Sequence, residues 1–529
     1  MEPFPSYLKN QSKTEINELY QDRINLKLSL RKKKLNEILI KKRIFSNIED
    51  TSWTHELFLS NLNLPPNYKI IFAKDEELIS TALKSIKSEN IFDIKYGICL
   101  LKQYTSYFQD GKILNDNLNL NFISDILNLL EKWGEKKEKQ IVFNLLYLLT
   151  NYSYINTNKT ISKFFLSSKG YKIWEICFNL QDYEIMSQLI WILDNITNDD
   201  DEICYNLLKS NFFQNKIYNF FSSPTIICHL NNNNPKNIFY IIIERGIGLL
   251  SNLLASKINE KNMEEKYRLC KPIFELILKY SDSNSENIFC SCVYSLSIAI
   301  DYDERLIDLI DNSNILNDIL NKKFFNVEKI IFYCNRILGD YIFNKSNLSK
   351  DFYDKCTFYE MDIFFGVKSD KIIIEVLLVL SNIMFENKNS ADIICCNKAL
   401  IDKIINLYKI WTNDLFIKET LNFFIVLLQI VNINNFIEIG NKGLIEISFE
   451  HAKNSLNEKK EIIYFFELIE LVLDNGDTIK ENFGGRNLIK EKCDTLGLRD
   501  LLRKYENCNE KELEEKIQNI ISKYYEDNI

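Results

Sequence analysis

The chain has 529 residues, a net charge of −8 and 46% apolar residues, so it is long enough to bury a large core. Glycine and proline, at 14 and 7 residues, are far below ordinary usage. This scarcity argues against several separate globular domains and favours one extended helical array. No apolar run reaches the roughly 18 residues of a membrane span, and the amino terminus lacks the apolar core of a signal peptide, so we expect an intracellular protein.

The amino-terminal segment is strongly basic. Residues 23–43 carry nine Lys or Arg and the single acid Glu37, a local charge of +8, so the remaining chain sums to −16. We predict a flexible basic arm over residues 1–48 that forms a helix on binding, followed by a linker over 49–75. The run is open to three interpretations: a solvated charge run, a patch for anionic lipid or nucleic acid, or a contact with a protein. The acidic body repels phosphate and disfavours nucleic acid.

Helical hairpins are predicted from about Glu76 onward. The apolar spacing gives a helix over 122–133 and its partner over 139–150, then a second pair over 173–179 and 185–196. Gly484-Gly485 ends this array, and residues 484–529 are predicted to form a carboxy-terminal capping repeat with two helices.

A frame of an aromatic residue and an asparagine one turn later recurs along the array. Trp191 and Asn195 form its clearest copy, and the asparagine position returns at Asn151, Asn252 and Asn382. Degenerate copies of this position follow at Ile298, Asp340 and Val426. Counted through them, the gaps are 44, 57, 46, 42, 42 and 44 residues, and the gap of 57 contains a low-complexity loop near residues 229–237. A helical period of this length predicts an all-α, right-handed superhelical armadillo-repeat solenoid of about ten repeats over 76–483.

The frame has chemistry that suits an extended peptide. An indole face can stack on a lysine, and a side-chain amide can bond both the N–H and the C=O of a peptide backbone. The alternative is a half-buried core tryptophan beside a solvated asparagine. Gln188 stands one turn before Trp191 and Asp199 one turn after Asn195, which favours binding over that alternative.

Enzyme chemistry has little support in the sequence. There is no Gly-rich phosphate loop, no Gly-x-Ser-x-Gly elbow and no His-Glu-x-x-His motif. The histidines are His55, His229 and His451, and the 13 cysteines lack the spacing of a disulfide framework or a metal site. We therefore expect buried reduced thiols, no metal, no cofactor and no catalysis, although scattered residues can still meet in space.

Three segments together resemble the importin α (karyopherin α) family. The run from Arg23-Ile24 through Leu30-Arg31-Lys32 to Lys41-Lys42-Arg43 is similar to the importin-β-binding arm of that family, without a gap. The Trp-x-x-x-Asn frames are similar to its armadillo repeats, and Gly497-Leu498-Arg499-Asp500 through Tyr524-Tyr525 is similar to its last repeat. The resemblance covers nearly the whole chain.

The resemblance implies two binding grooves for nuclear localization signals. Its major groove falls on eight positions: Tyr147, Asn151, Thr160, Gln188, Trp191, Asn195, Asp199 and Asn252. Its minor groove falls on six positions: Asp301, Arg336, Asp340, Glu375, Asn382 and Glu419. Gly248 stands where the family has a third aromatic platform, and on their own Glu375 and Glu419 are ordinary surface helix charges.

The implied function is that of a nuclear import adaptor. Such a protein holds the lysine- and arginine-rich signal of a cargo and couples it to importin β through the amino-terminal arm. The arm residues in question are Arg23, Leu30, Arg31, Lys32, Lys41, Lys42 and Arg43, and the last three are expected to inhibit the groove in the absence of importin β. The resemblance also implies shuttling between cytoplasm and nucleus and return by an exportin at the last repeats. Two rivals are an armadillo or HEAT scaffold outside import and a helical-repeat enzyme or regulatory subunit.

Overall fold

A computed structural model gives the fold. It describes residues 75–107, 120–155, 164–198, 200–231, 234, 237–256, 263–345, 348–454, 459–483, 486–506 and 510–525. The basic arm and all of the linker except Asp75 lie outside the described residues. The described ranges contain helices and no strand. The chain divides into two compact units, and the division falls between Leu306 and Ile307.

The α-helices of the first unit are numbered in chain order. They are α1 Asp75–Ile86, α2 Ile91–Tyr107, α3 Leu120–Glu135, α4 Lys139–Ile155, α5 Ser168–Asn179, α6 Tyr183–Thr197, α7 Asp201–Lys209, α8 Asn219–Phe221, α9 Pro224–Ile227, α10 Ile238–Leu254, α11 Met263–Tyr280 and α12 Glu286–Tyr302. A π-helix, Phe213–Tyr218, precedes α8, and a 3₁₀-helix, Glu304–Asn312, follows α12.

The second unit continues the numbering. Its helices are α13 Ile315–Leu320, α14 Glu328–Asn344, α15 Lys350–Gly366, α16 Asp370–Glu386, α17 Lys388–Cys396, α18 Lys398–Ile410, α19 Asp414–Ile430, α20 Ile433–Asn441, α21 Leu444–Asn454, α22 Lys459–Phe483, α23 Leu488–Thr495, α24 Leu498–Tyr505 and α25 Lys511–Tyr525. Thus the two hairpins expected from the apolar spacing are α3 with α4 and α5 with α6.

One helix from each repeat packs against its counterpart in the next repeat. In the first unit these helices are α2, α4, α6, α10 and α12; in the second they are α14, α16, α19 and α22. We call them the row helices. Each row helix except α2, which packs mainly on α1, contacts a neighbouring row helix more than any other element. The packing is therefore that of a repeat solenoid.

The repeat itself contains three helices. From α16 to α19 the chain passes through the short helix α17 and the longer helix α18, and from α19 to α22 it passes through α20 and α21. Helices α16 and α19 begin 44 residues apart, at Asp370 and Asp414. Three helices in a repeat of this length are the arrangement of armadillo repeats.

Local signals in the sequence begin the row helices. The side chain of Asp182 accepts hydrogen bonds from the backbone N–H groups of Glu184 and Ile185 and caps α6. Asn237 caps α10 in the same way by accepting from Phe239. Each cap satisfies N–H groups that a helix start leaves without partners. The loop before α10 therefore ends at a defined residue.

An apolar stripe then fixes the orientation of α6. Ile185, Leu189, Ile192, Leu193 and Ile196 recur at helical spacing and are all buried. Trp191 and Asn195 lie on the other side of this helix and are only half-buried. The frame identified in the sequence therefore lies at the edge of the core.

A glycine lets α10 approach its neighbour closely. A Cβ added to Gly246 would lie 2.2 Å from two ring atoms of Phe221, which is fully buried. No side chain fits in that space unless the ring or the helix moves. Gly246 therefore helps to fix the position of α10.

A buried carboxyl group lies in the second unit. Glu360 on α15 is fully buried and its Oε2 accepts a hydrogen bond of 3.0 Å from Asn335 Nδ2 on α14. Burial, with a smaller contribution from the nearby Glu375, raises the pKa of Glu360 well above its ordinary value. The side chain is therefore a neutral acid in the folded protein over a wide pH range.

No helix among the described ranges is long and apolar enough to cross a membrane.

The Gly246→Ala substitution should destabilise the first unit by about 1–3 kcal/mol, because the new methyl group overlaps the Phe221 ring. Thermal and urea unfolding followed by circular dichroism would measure the loss. Gly366→Ala is the matched control, since a Cβ there meets nothing within 4 Å. Equal behaviour of the two variants would contradict the packing at Gly246.

The Glu360→Gln substitution should stabilise the second unit at neutral pH. The folded pKa of Glu360 lies above the unfolded value of about 4.3, so folding binds a proton and stability falls as pH rises through that window. The variant loses this dependence, and its advantage should grow with pH by up to about 1.4 kcal/mol per pH unit. Urea unfolding from pH 4 to pH 8 measures the effect. Asp392→Asn, an exposed carboxylate of the same unit, should follow the wild type.

Candidate functional site

The candidate site of the first unit lies on α4, α6 and α10. Tyr147 and Trp191 occupy equivalent positions on α4 and α6, and both rings are half-buried. Gly248 takes the equivalent position on α10. The site therefore contains two aromatic rings at equivalent positions of successive row helices, and no ring at the third.

Two asparagines of the frame in the first unit, Asn195 and Asn252, bond to the preceding row helix. Asn195 Nδ2 donates to the backbone oxygen of Thr150 at 3.2 Å and to Ser153 Oγ at 3.1 Å. Asn252 Nδ2 donates to the backbone oxygen of Asp194 at 3.1 Å. In both cases the acceptor is the residue just before the frame asparagine of the preceding repeat. We call this series of bonds the asparagine ladder.

The second unit repeats the ladder. Asn382 Nδ2 on α16 donates to the backbone oxygen of Gly339 on α14 at 3.2 Å, and Gly339 precedes the frame residue Asp340. The same contact therefore occurs in both units with different sequences around it. Each such bond contributes about 1 kcal/mol to the packing of two row helices. These asparagines therefore align the row helices with each other.

The aromatic platform of Trp191 is occupied by the chain itself. The guanidinium carbon of Arg245 on α10 lies 3.8 Å from the centroid of the Trp191 ring, which is stacking distance. Arg245 Nη1 also donates to Ser187 Oγ at 2.7 Å and to the Ser187 backbone oxygen at 3.3 Å. The ring face predicted to take a lysine from a partner is thus covered by an internal cation.

The charge on Arg245 survives in this environment. Burial lowers the pKa of Arg245 to about 10, while the nearby carboxylates Glu244 and Asp194 act in the opposite direction. The guanidinium therefore remains protonated at neutral pH. The site holds one cation and two acids on the face that contains Trp191.

Of these two acids, Asp194 also bonds to the asparagine ladder. Its Oδ1 accepts a hydrogen bond of 2.9 Å from Asn252 Nδ2. A Cβ added to Gly248 would lie 3.0 Å from Asp194 Oδ1 and 3.1 Å from Oδ2. The absence of a side chain at Gly248 therefore leaves room for this carboxylate between α6 and α10.

Gln188 also links two row helices. It is buried, and its Oε1 accepts a hydrogen bond of 3.0 Å from Thr150 Oγ1 on α4. Gln188 stands three residues before Trp191, and Arg245 stands three residues before Gly248. In both cases the side chain at this position of the repeat contacts the preceding row helix.

The structure describes the side chains of five of the eight predicted major-groove residues. Tyr147, Gln188, Trp191, Asn195 and Asn252 lie along three successive row helices, and the ladder joins Asn195 to Thr150 and Asn252 to Asp194. Asn252 is more buried than the sequence indicated, with 6% of its surface exposed.

Three of the predicted residues cannot be placed. The side chain of Asn151 and the whole of Thr160 and Asp199 lie outside the described residues. Their predicted roles remain predictions.

The predicted minor-groove residues are mostly inside the protein. In the second unit, Arg336, Glu375 and Glu419 are buried, with 9%, 7% and 3% of their surfaces exposed. The surface position expected for Glu375 and Glu419 is therefore wrong, because the row helices pack on both sides of the face that carries them. Asp340 and Asn382 are half-buried. Asp301 is buried in the last turn of α12 and belongs to the first unit.

Sequence reasoning missed Arg245 and Asp194. Both lie in segments that the frame already covered, but neither has the residue type that defines the frame. The available signal was the spacing: Gln188 and Arg245 are 57 residues apart, as are Trp191 and Gly248. Gln188 was already a candidate, and the residue that occupies its position in the next repeat is Arg245.

Among the residues that the structure describes, no group of three or more His, Cys, Asp or Glu side chains is placed so that it could hold a metal ion.

Comparisons with known proteins describe the fold. No protein-family profile matches the chain, and no curated protein matches it. An engineered protein solved by the Northeast Structural Genomics Consortium superposes with a TM-score of 0.63 at 12% identity, covering 85% of this chain and 98% of its own. A designed armadillo repeat protein in complex with the peptide (KR)4 is similar over 50% of this chain and 99% of its own, with a TM-score of 0.39 at 11% identity. The first likeness and the packing of the row helices confirm the predicted all-α repeat solenoid.

Proposed function

We propose that the first unit binds an extended, lysine- and arginine-rich peptide across α4, α6 and α10. We further propose that the chain acts as a nuclear import adaptor of the importin α type. The observation that supports peptide binding is the asparagine ladder. It places Asn195 beside Thr150 and Asn252 beside Asp194, so polar groups follow one another along successive row helices.

The spacing of the row helices suits an extended strand. Packed helices lie about 8–10 Å apart, and an extended peptide advances about 3.3 Å per residue. One step of the ladder therefore corresponds to about three peptide residues. Asn195 uses its Nδ2 in the ladder, whereas its Oδ1 accepts no hydrogen bond from the described residues. That oxygen can accept from a peptide N–H group.

Charge favours a basic strand. Asp194 and Glu244 are half-buried on the site, and the chain outside residues 23–43 carries a net charge of −16. A carboxylate that is partly removed from water binds an ammonium or guanidinium group more strongly than a fully solvated one does. We assign the peptide to the first unit because Arg336, Glu375 and Glu419 of the second unit are buried.

The import role rests on the sequence of the amino-terminal arm. Arg23, Leu30, Arg31 and Lys32, followed by Lys41-Lys42-Arg43, resemble the segment through which importin α binds importin β. In this proposal the final basic cluster occupies the acidic site until importin β withdraws it. The protein would then move between cytoplasm and nucleus and return with an exportin.

The main alternative is an interaction scaffold outside nuclear import. It shares the solenoid and the peptide site, and it differs in the partner of the basic arm. Capture of importin β through residues 23–43 separates the two, because only the import adaptor requires it. We propose no enzymatic activity; loss of a catalytic activity on substitution of His229 or His451 would contradict this.

The Asp194→Asn substitution should weaken binding of a lysine-rich peptide about three- to thirtyfold, because a charge-assisted contact is lost. The asparagine keeps an oxygen that can accept from Asn252, so the ladder is retained. Isothermal titration calorimetry measures the affinity. Glu175→Gln, an exposed acid of α5, removes the same charge away from the row helices. A similar loss in both variants would contradict a peptide site at Asp194.

Alanine at Lys41, Lys42 and Arg43 together should tighten binding of the same peptide, because an internal competitor is removed. Importin β added to the wild type should produce the same tightening and should add nothing to the triple variant. Fluorescence anisotropy of a labelled peptide follows both effects. Unchanged affinity in the variant would reject inhibition by the arm, and no response to importin β would favour the scaffold.

A further inference from the structure

We propose that Arg245 decides which residue a bound strand places at Trp191: it excludes a lysine or arginine there and takes an aspartate or glutamate instead. The partner is then a basic peptide with an acidic residue at one fixed position. This inference deepens the proposed function and rests on it, since it concerns the same peptide site.

The position of Arg245 is fixed by more than its contact with the indole. Its guanidinium carbon lies 3.8 Å from the Trp191 ring centroid, and Nη1 bonds to both oxygen atoms of Ser187. Ser187 and Trp191 are one turn apart on α6 and therefore share a face. Stacking and two hydrogen bonds act on the same side chain, so the cation is clamped over the ring.

A second cation has no place on this ring face. A lysine of the strand would have to displace Arg245 from Trp191 and from Ser187, or lie against a guanidinium that remains charged. The gap at Gly248 supplies no further ring, because Gly248 has no side chain and the Asp194 carboxylate lies close to it. The strand therefore gains nothing from a stacked lysine at this step of the ladder.

An acidic side chain fits the remaining donors. Arg245 has five N–H groups, and its only hydrogen bonds to the described residues are the two from Nη1 to Ser187. Nε and Nη2 therefore donate to no described residue, and the side chain is half-buried. A carboxylate can accept from two such groups at once in a planar arrangement. Asp194 and Glu244 lie nearby without hydrogen-bonding to Arg245.

Peptide binding to the full chain tests this assignment. All variants carry alanine at Lys41, Lys42 and Arg43, so that the arm does not compete. The probes are an oligolysine peptide and a set of otherwise identical peptides with one glutamate at each position in turn. The chain with Arg245 should bind one glutamate peptide more tightly than oligolysine.

The Arg245→Gln substitution should reverse this preference. Affinity for oligolysine should rise about three- to thirtyfold as the ring face becomes free, and the advantage of the glutamate peptide should vanish. Arg245→Met, which keeps an unbranched stem, should show the same reversal. Agreement between the two variants would show that the reversal does not come from a folding defect of one of them. Lys209→Gln removes the same charge from an exposed side chain of α7 and should leave the preference unchanged.

A double-mutant cycle links the effect to the ring. In a Trp191→Ala background, Arg245→Gln should raise oligolysine affinity no more than Lys209→Gln does, because no platform remains to be freed. An Arg245→Gln variant that binds oligolysine no better than Lys209→Gln, with Trp191 present, would overturn the inference. Binding that shows no preference among the peptides would also overturn it and leave the proposed function standing. Failure of every variant to bind any peptide would contradict both the inference and the proposed function.

Discussion

The hydrogen bond from a frame asparagine to the backbone of the preceding row helix is the contact on which the arrangement depends. It occurs at Asn195, Asn252 and Asn382, and each time the acceptor is the residue before the preceding frame position. Apolar packing alone tolerates small shifts of one helix along another, because it is not directional. A directional bond at a fixed offset sets the register. Successive repeats therefore present equivalent positions to the same side, which a surface for an extended strand requires.

This use of the asparagines limits what remains for a partner. An amide has two donors and an oxygen acceptor, and in Asn195 the donors face Thr150 and Ser153. In Asn252 they face Asp194 and Thr197. A strand that crosses the helices consequently finds acceptors and carboxylates more readily than free amide donors. This distribution suits the N–H groups and cationic side chains of a basic peptide.

The sequence predicted the helices better than it predicted the contacts between them. Apolar spacing located α3 to α6 to within a few residues, because periodicity is a property of one helix. The stack of Arg245 on Trp191 joins residues in different repeats across an inserted loop, so no pattern within a single helix indicates it. The burial of Glu375 and Glu419 was missed for the same reason: a charge at the edge of an apolar stripe is exposed on a lone helix and covered once neighbouring row helices pack against it. Thr160 and Asp199 lie outside the described residues, so their roles rest on the sequence alone.

The position three residues before each platform explains how one solenoid can carry different binding surfaces. Gln188 at this position is a neutral amide that contacts Thr150 on the preceding row helix, whereas Arg245 contacts Trp191 there and covers its ring with a cation. The ladder is the same in both steps, because Asn195 and Asn252 make equivalent bonds. In our proposal, a change at this one position alters which side chain a platform accepts, while the asparagine ladder keeps the register of the row helices. On that proposal, selectivity differs from one step of the ladder to the next and depends on this position as well as on the aromatic residues.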